Sequence, residues 1–262
     1  MFINNINPVL VNIGSLSIRY YGLVYAIGFL IGYLVLRRFI KSKKIKLTEE
    51  QLDTYFLWLI IGSIFMSRIF EVFIYNLPYY MSHISEIYKI WNGGLSFQGG
   101  IVGAIIVTII FAKRYKVRFY DIADVLIIPT TLVLAIGKLA NYTNSELYGR
   151  ATNVPWCVVF QHVDNICRHP VQIYEFILYL AIFFILLTYY NHAHKNKHQI
   201  NGNQVSGRIF WMFLILYSVA RFFITFFRDE PQYFGLNVGQ WLCLLTIIIS
   251  GIVLWKYKPK NI

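Results

Sequence analysis

Cationic side chains lie inside, or at the ends of, strongly apolar stretches of this sequence. Lys138 is near the end of one such stretch, and Arg221 and Arg228 are near the end of another. Tyr217, Arg221 and Arg228 are spaced i, i+4 and i+11, which places them along one stripe of a helix. A cation at the centre of a bilayer costs about 2.5–3.5 kcal/mol on insertion scales, so each requires a partner or a ligand. Together they favour an anionic ligand.

Polar residues cluster around these cations in the sequence. Asn141 shares a helical face with Lys138, and Glu146 follows shortly after. His169 and Glu175 open the next apolar stretch. All of these residues fall at helix ends that we predict to face the same side of a membrane. They indicate a polar, cation-rich cavity in the outer half of the bilayer, which suits a phospholipid head group.

A glycine-rich segment opens the third apolar stretch. Glycine costs a helix about 1 kcal/mol relative to alanine. Such backbone is tolerated at membrane depth where it is buried in protein or lines a cavity. Close packing of two helices through small residues is the alternative. The segment contains Gly93, Gly94, Gln98, Gly99 and Gly100.

Arg68 lies inside another apolar stretch and has two alternative roles. It is either a further ligand-binding cation or a structural one. In the structural case it would pair with Glu71, three residues later, or with a neighbouring helix.

The composition predicts an all-α integral membrane protein. The chain has 262 residues, of which 57% are hydrophobic and 14% charged, with a mean hydropathy of +0.54. A soluble domain carries roughly 25% charged residues. Stretches of spanning length predict about seven transmembrane helices, near 18–36, 54–75, 93–112, 122–140, 173–190, 209–227 and 236–255.

The distribution of charge predicts the topology. Most of the 24 cationic residues fall in connecting segments that alternate with segments nearly free of them. The positive-inside rule places these basic segments in the cytoplasm, with the N-terminus outside and the C-terminus cytoplasmic. We therefore take them as topology determinants and expect no nucleic-acid partner, despite a net charge of +12. The basic segments hold Arg37, Arg38, Lys41, Lys43, Lys44 and Lys46; Lys113, Arg114, Lys116 and Arg118; Lys195, Lys197 and Arg208; and Lys256, Lys258 and Lys260.

Residues 142–173 form the longest outer segment, which we call the head segment. We expect residues 1–262 to be one transmembrane domain, with the head segment as a small outer head. Cys157 and Cys167 lie in it, either joined in an oxidising compartment or as two free thiols. The sequence has no CxxC, HExxH or GxxxxGK pattern. We therefore expect no metal site, no nucleotide site and no cofactor.

Five blocks, taken in order along nearly the whole chain, resemble the bacterial prolipoprotein diacylglyceryl transferases. The segment from Gly137 to Arg150 is similar to the signature of that family, Gly-Arg-x-x-Asn-Phe-x-Asn-x-Glu-x-x-Gly. The other blocks are Arg19–Tyr25, Asn92–Gly100, Arg168–Glu175, and Ala220–Arg228 with Val238–Gln240.

The resemblance implies a reaction, its partners and its location. Such enzymes transfer the diacylglyceryl group of phosphatidylglycerol to a cysteine thiol in the lipobox of a prolipoprotein signal peptide. A thioether forms and glycerol phosphate leaves, in the first step of lipoprotein maturation. The resemblance also implies a multi-pass protein of the bacterial inner (plasma) membrane.

The resemblance assigns roles to individual residues. Arg221 would face the phosphate, joined by Lys138 and Arg228. Asn141 and Glu146 would orient the head group or the peptide. The match also places Tyr21 at a catalytic position, where it would hydrogen-bond to either substrate, and Gly149 where the backbone requires glycine. An interfacial aromatic anchor is the alternative for Tyr21. We expect six residues to shape the site: Gly99, Gly100, Gly149, Gln98, His169 and Glu175.

Three departures from the family pattern concern the chemistry itself. The proposed base of the family, a histidine, is Gln98 here, and glutamine does not accept a proton near neutral pH. The signature arginine is Lys138, which keeps the charge but not the bidentate fork. The glutamate four residues after Arg221 is Thr225, so we expect Arg221 to lack its local ionic partner. His169, Glu146 or Glu175 would then be the substitute proton acceptor.

Two alternative functions follow from these departures. One is a diverged, non-catalytic paralogue that binds lipid or signal peptides. The other is a small-solute channel or transporter, which predicts flux across liposomes without dependence on phosphatidylglycerol. The clustering of charged residues toward the outer side, rather than at the midplane, disfavours the transporter.

Overall fold

Seven helices within the described part of the chain are long and apolar enough to cross a membrane, which confirms the predicted number of spans. The computed structural model describes residues 2–13, 16–42, 45–195 and 207–256. Among the predicted topology determinants, Lys43, Lys44, Lys197, Lys258 and Lys260 lie outside these ranges. The seven helices are α1 (Tyr20–Lys41), α2 (Glu49–Phe70, continued by a π-helical turn, Glu71–Tyr75), α4 (Phe97–Arg114), α5 (Phe119–Thr143), α6 (Val171–Lys195), α7 (Arg208–Ile224, continued by a 3₁₀ turn, Thr225–Phe227) and α8 (Val238–Lys256).

The shorter elements connect these helices. A short helix, α3 (Leu77–Ser82), and two 3₁₀ turns (Ile84–Glu86 and Ile90–Asn92) link α2 to α4. The strands are β1 (Phe2–Asn4), β2 (Val9–Ile13), β3 (Leu16–Arg19), β4 (Val158–Phe160), β5 (Cys167–Arg168), β6 (Gln232–Tyr233) and β7 (Leu236–Asn237). The β2–β3 and β6–β7 pairs are antiparallel.

The third span begins later than the hydropathy predicts. Gly93 and Gly94 have φ values of +92° and +70°, which a right-handed helix does not accommodate. Helix α4 therefore starts at Phe97, and Ser96 caps it by accepting a hydrogen bond from Gly99 N at 3.2 Å.

The chain divides into two compact units, one comprising residues 33–122 and the other the residues up to 32 and from 123 onward. In the 33–122 unit, α2 packs closely against α4. A methyl group at Gly103 would lie 2.5 Å from Gly62 O, and one at Gly99 would overlap Met66 O. Tyr55 and Thr108 share a buried hydrogen bond of 2.9 Å across the same contact. Helix packing through small residues thus accounts for Gly99.

Arg68 has a structural role, which is one of the two alternatives that the sequence left open, but its partners differ from the expected ones. Its buried guanidinium donates to backbone carbonyls instead of pairing with Glu71. The distances are 2.5 Å to Glu86 O, 2.8 Å to Ile87 O and 2.7 Å to both Gly93 O and Gly94 O. The side chain thereby fixes the segment that leads into α4.

In the other unit, α5, α6 and α7 share one hydrophobic core. Ala135 of α5, Tyr179 and Leu186 of α6, and Phe213 of α7 are buried together. Helix α7 also packs against α8. This core brings the end of α5, the start of α6 and the end of α7 close together, and the polar residues lie there.

The head segment contains a small three-stranded sheet. Strand β1 pairs in parallel with β4, with Phe2 opposite Val158, and β5 pairs antiparallel to β4. A disulfide joins Cys157 to Cys167, which decides between the two alternatives left open by the sequence. Asn4 Nδ2 donates to Tyr142 O at 2.6 Å. The contribution of β1 was not predicted from the sequence.

Asp124 of α5 caps the start of α7 from a neighbouring helix. Its Oδ2 accepts a hydrogen bond from Gly207 N at 2.6 Å, and its Oδ1 accepts one from Phe210 N at 2.8 Å. The first backbone N–H groups of a helix have no intrahelical partner, so a carboxylate here satisfies two of them and complements the helix dipole.

We expect Asp124→Ala to lower the free energy of unfolding by about 1–2 kcal/mol, as the loss of a cap does, and Asp124→Asn to lower it less. Thermal unfolding in detergent micelles measures the effect. Asp121→Ala is the matched control, because Asp121 pairs only with Arg118 at the helix surface, among its described contacts, and such pairs contribute little. Equal melting temperatures for Asp124→Ala and Asp121→Ala would contradict the capping role.

Candidate functional site

The site is built around Glu175, whose side chain is completely buried near the start of α6. Lys138 Nζ of α5 lies 2.9 Å from Glu175 Oε2. Arg221 Nη1 of α7 lies 2.6 Å from Glu175 Oε1. Arg228 Nη2 lies 3.8 Å from Glu175 Oε2. All three predicted phosphate-binding cations therefore meet at one carboxylate.

Glu230 adds a second carboxylate to this cluster. Its Oε1 lies 3.0 Å from Arg228 Nη1 and 3.7 Å from Arg221 Nη2. Asn237 Nδ2, just before α8, donates to Glu230 Oε2 at 2.7 Å and fixes its orientation. Arg228 Nη2 also donates to Leu147 O at 3.2 Å, which ties the cluster to the head segment.

Arg221 has ionic partners despite the departure from the family pattern. Position 225 is a threonine whose hydroxyl donates to Arg221 O at 2.7 Å, so no local carboxylate is available. Glu175 and Glu230 pair with Arg221 instead. The expectation that Arg221 lacks its local partner holds, but the arginine is not left unpaired.

The cluster contains three cations and two carboxylates, so it carries an excess positive charge. Buried charges require partners because desolvation is costly. The side chains of Lys138 and Arg221 keep exposed fractions of 15% and 21%. An additional anion can therefore reach them, and a phosphate matches both their charge and their donor groups.

Asn141 and Glu146 are in direct contact at the end of α5. Asn141 is buried, and its Nδ2 donates to Glu146 Oε1 at 2.6 Å, with Asn144 Nδ2 at 3.3 Å from the same oxygen. Gln172 Nε2 donates to Glu146 O at 2.7 Å. Backbone and carboxylate of Glu146 are both held, although the residue itself is exposed.

Gly149 lies where two backbone segments pass very close to each other. Its N donates to His169 O at 2.9 Å. A methyl group there would lie 2.6 Å from both Phe227 O and Val171 Cγ2. Only glycine fits this approach, as the family match implied.

His169 supports this backbone crossing instead of joining the charged cluster. The Tyr174 hydroxyl accepts a hydrogen bond from Trp156 Nε1 at 2.7 Å and lies 3.1 Å from His169 Nδ1. The His169 ring also packs edge-on against Phe227. Burial, with a smaller contribution from the charge of Arg150, lowers the pKa of His169 below its ordinary value.

A cavity of about 620 Å³ lies beside the cluster. Its polar lining comprises Ser145, Glu146, Arg168, Arg228, Asp229 and Glu230. Sequence reasoning missed Ser145, Asp229 and Glu230. The adjacency of Asp229 and Glu230 to Arg228 was the available signal for the two acids.

Tyr21 belongs to the same unit as the cluster. Its hydroxyl accepts a hydrogen bond from the Tyr25 hydroxyl at 3.1 Å, and the two rings lie 5.0 Å apart. Among the described contacts, no hydrogen bond joins Tyr21 to the charged cluster.

Gln98, Gly99 and Gly100 belong to the 33–122 unit. Gln98 is exposed, and its Oε1 accepts a hydrogen bond from Ser96 Oγ at 3.3 Å. Unlike Gly99, Gly100 has room for a side chain, because a methyl group there would lie 4.0 Å from its nearest neighbour, Ser63 O.

Comparisons with known proteins agree on one family. The model of the prolipoprotein diacylglyceryl transferase family matches residues 8–257. The chain is 36% identical over 264 residues to a phosphatidylglycerol–prolipoprotein diacylglyceryl transferase of Nitrosospira multiformis, covering 97% of this chain and 88% of that protein. It is 35% identical over 262 residues to the protein of the same name from Tolumonas auensis, covering 98% of this chain and 97% of that protein. It is 34% identical over 235 residues to the protein of the same name from Geobacter sulfurreducens, covering 90% of this chain and 87% of that protein.

We expect Gly149→Ala to destabilise the protein by about 1–3 kcal/mol, because the new methyl group overlaps a backbone carbonyl that has little freedom to move. Gly137→Ala is the matched control. A methyl group at Gly137 meets nothing within 4 Å, so this variant is expected to gain up to about 1 kcal/mol from helix propensity. Melting temperatures in detergent test both, and equal values for the two variants would contradict the close approach at Gly149.

We expect stability to fall as the pH is lowered from 7.5 to 5.5, in part because of His169. Its pKa is lowered in the folded protein, so the unfolded chain binds a proton, near the ordinary pKa of about 6.5, that the folded protein does not. His169→Gln removes this contribution. Its melting temperature should depend less on pH than that of the natural protein, and an identical pH dependence would contradict the assignment.

Proposed function

The chain belongs to the prolipoprotein diacylglyceryl transferase family, and on this premise we propose that it transfers the diacylglyceryl group of phosphatidylglycerol to the cysteine thiol of prolipoproteins. The observation that carries the proposal is the meeting of Lys138, Arg221 and Arg228 at the buried Glu175. Such a site suits the phosphate of a lipid that reaches it from the bilayer.

The proposed step exchanges one bond for another. The cysteine sulfur attacks the carbon of the diacylglyceryl group that is bonded to the phosphate oxygen. A C–S bond forms as the bond between this carbon and the phosphate oxygen breaks. The electron pair of that bond leaves with the phosphate oxygen, and the products are a thioether and glycerol phosphate. The thiol proton passes to a base or to the departing phosphate, which gains one negative charge as it leaves.

The cations act on the charge that develops in this step. Lys138 and Arg221 remain partly exposed beside the buried carboxylate and would bind the phosphate oxygens. Fixed cations aimed at a developing negative charge stabilise a transition state strongly in a water-poor site. Glu175 would hold these cations in position while leaving donor groups free for the substrate.

Glu146 is the candidate proton acceptor that the geometry favours. Glu175 is completely buried and in contact with three cations, and His169 faces Tyr174. The Glu146 carboxylate is held by Asn141 and lines the open cavity. Proton transfer to Glu146 or to the leaving phosphate would not require an ionisable group at position 98, where this chain has glutamine.

We propose the topology that the charge pattern predicts. The N-terminus and the head segment would lie outside the inner membrane, and the basic connecting segments would lie in the cytoplasm. The disulfide of the head segment suits that oxidising side. The chain would then form one transmembrane domain, with residues 142–173 over the site.

Transfer of radiolabelled diacylglyceryl groups from phosphatidylglycerol to a lipobox peptide tests the function. We expect the natural protein to form the product and Arg221→Ala to lose about a hundredfold or more of the turnover, as the removal of one transition-state donor does. Arg221→Lys should lose less, since it keeps the charge.

The matched control is Arg38→Ala, which removes an exposed cation near the end of α1 and should retain full activity. Absence of product from well-folded natural protein would exclude the transferase function and favour the non-catalytic paralogue. Equal activity of Arg221→Ala and the natural protein would exclude the proposed role of Arg221.

A further inference from the structure

The cavity beside the charged cluster is large and lies beyond the helix ends. Its volume of about 620 Å³ far exceeds the roughly 30 Å³ that one water molecule occupies. It is lined by residues 145–149 and 228–230, which follow the ends of α5 and α7, and by Val163 and Arg168. It therefore adjoins the charged cluster through Arg228 and Glu230.

Two residues of its wall carry buried polar atoms without hydrogen-bond partners. Ser145 Oγ and Arg228 Nε have none among the described residues. Ser145 is 4% exposed, and the Arg228 side chain is 7% exposed. Buried polar groups in proteins are nearly always satisfied, so both atoms are candidates to bond to a polar group in the cavity.

The positive charges of the cavity are already paired with carboxylates, whereas its acids can accept more hydrogen bonds. Arg168 is paired with Asp164 and lies over the Tyr148 ring. Arg228 is paired with Glu230. A carboxylate has about four lone-pair sites, so Glu146 and Glu230 keep capacity to accept hydrogen bonds. The cavity thus suits a group rich in hydroxyls better than a second anion.

Arg228 connects the cavity to the phosphate-binding cations. It contacts Glu175 on one side and Glu230 on the other, at 3.8 Å and 3.0 Å. Lys138 lies five residues before the end of α5, about 7.5 Å along the helix axis. A head group whose phosphate is held at Lys138 and Arg221 would extend its terminal alcohol into the cavity.

On the basis of the proposed function, we infer that this cavity binds the terminal glycerol of the donor head group, with Glu230 accepting hydrogen bonds from its free hydroxyls. Glu230 is then a specificity-determining residue that selects a donor with a polyol head group. Ser145 supplies a further hydroxyl to the same group.

Kinetics with two donors test this inference. One donor is phosphatidylglycerol, and the other carries propan-1-ol on the same phosphate, with equal charge and no free hydroxyl. We expect the natural protein to favour phosphatidylglycerol in kcat/KM by about tenfold or more, since groups placed to meet a hydroxyl reject a ligand without it. Glu230→Gln should reduce this preference by lowering kcat/KM for phosphatidylglycerol much more than for the propanol lipid.

Gln161→Ala is the control, because Gln161 is an exposed head-segment residue outside the cavity lining. It should leave the preference unchanged. Equal use of both donors by the natural protein would overturn the inference while leaving the transferase function intact. A parallel fall with both donors in Glu230→Gln would show a general structural role and would also overturn it.

A second measurement does not depend on turnover. Phosphatidylglycerol should raise the melting temperature of the natural protein more than the propanol lipid does, and Glu230→Gln should narrow that difference. If the natural protein forms no product, the proposed function fails but the cavity is still tested. Equal stabilisation of the natural protein by both lipids would contradict the glycerol site.

Discussion

The burial of the Glu175 carboxylate among cations is the constraint on which the rest of this structure depends. A lysine and an arginine within apolar helices are costly unless each has a partner, and Glu175 contacts Lys138 on α5 and Arg221 on α7 at hydrogen-bond distance. One side chain on α6 thereby fixes the ends of two neighbouring helices. Removing one member of a buried charge pair typically costs 3–5 kcal/mol, so the three helices are expected to keep this arrangement tightly.

The same cluster links the helices to the head segment and to the chemistry. Arg228 reaches Glu175, Glu230 and the backbone of residue 147. Around it, the close backbone approach at Gly149 holds residues 149–150 against Phe227. The result is a series of neighbouring environments: apolar helices, partly exposed cations and an open polar cavity. Acyl chains, a phosphate and a terminal alcohol occur in this order in a phospholipid donor.

The parts predictable from the sequence were those that depend on composition and on local spacing. The seven spans follow from apolar runs, and the grouping of Lys138, Asn141, Glu146, Glu175 and Arg221 follows from their positions at helix ends. Contacts between distant segments were not predictable. Glu230 compensates for Thr225 through the path of the chain beyond α7, and β1 joins the head segment from the opposite end of the sequence. His169 was grouped with the site by its sequence neighbours, but its ring faces Tyr174 and Phe227.

The most direct test of the central role of Glu175 is the melting temperature of the natural protein and of Glu175→Gln, each with phosphatidylglycerol or with diacylglycerol, which has the same acyl chains and no phosphate. If the cations bind the donor phosphate, phosphatidylglycerol should stabilise the natural protein more than diacylglycerol does. In diacylglycerol, Glu175→Gln should melt at a lower temperature than the natural protein. Changing to phosphatidylglycerol should raise the melting temperature of the variant more than that of the natural protein, because the phosphate then balances the cations. Equal melting temperatures of the natural protein in the two lipids would contradict a phosphate site organised by Glu175. So would a Glu175→Gln variant that is as stable as the natural protein in both lipids.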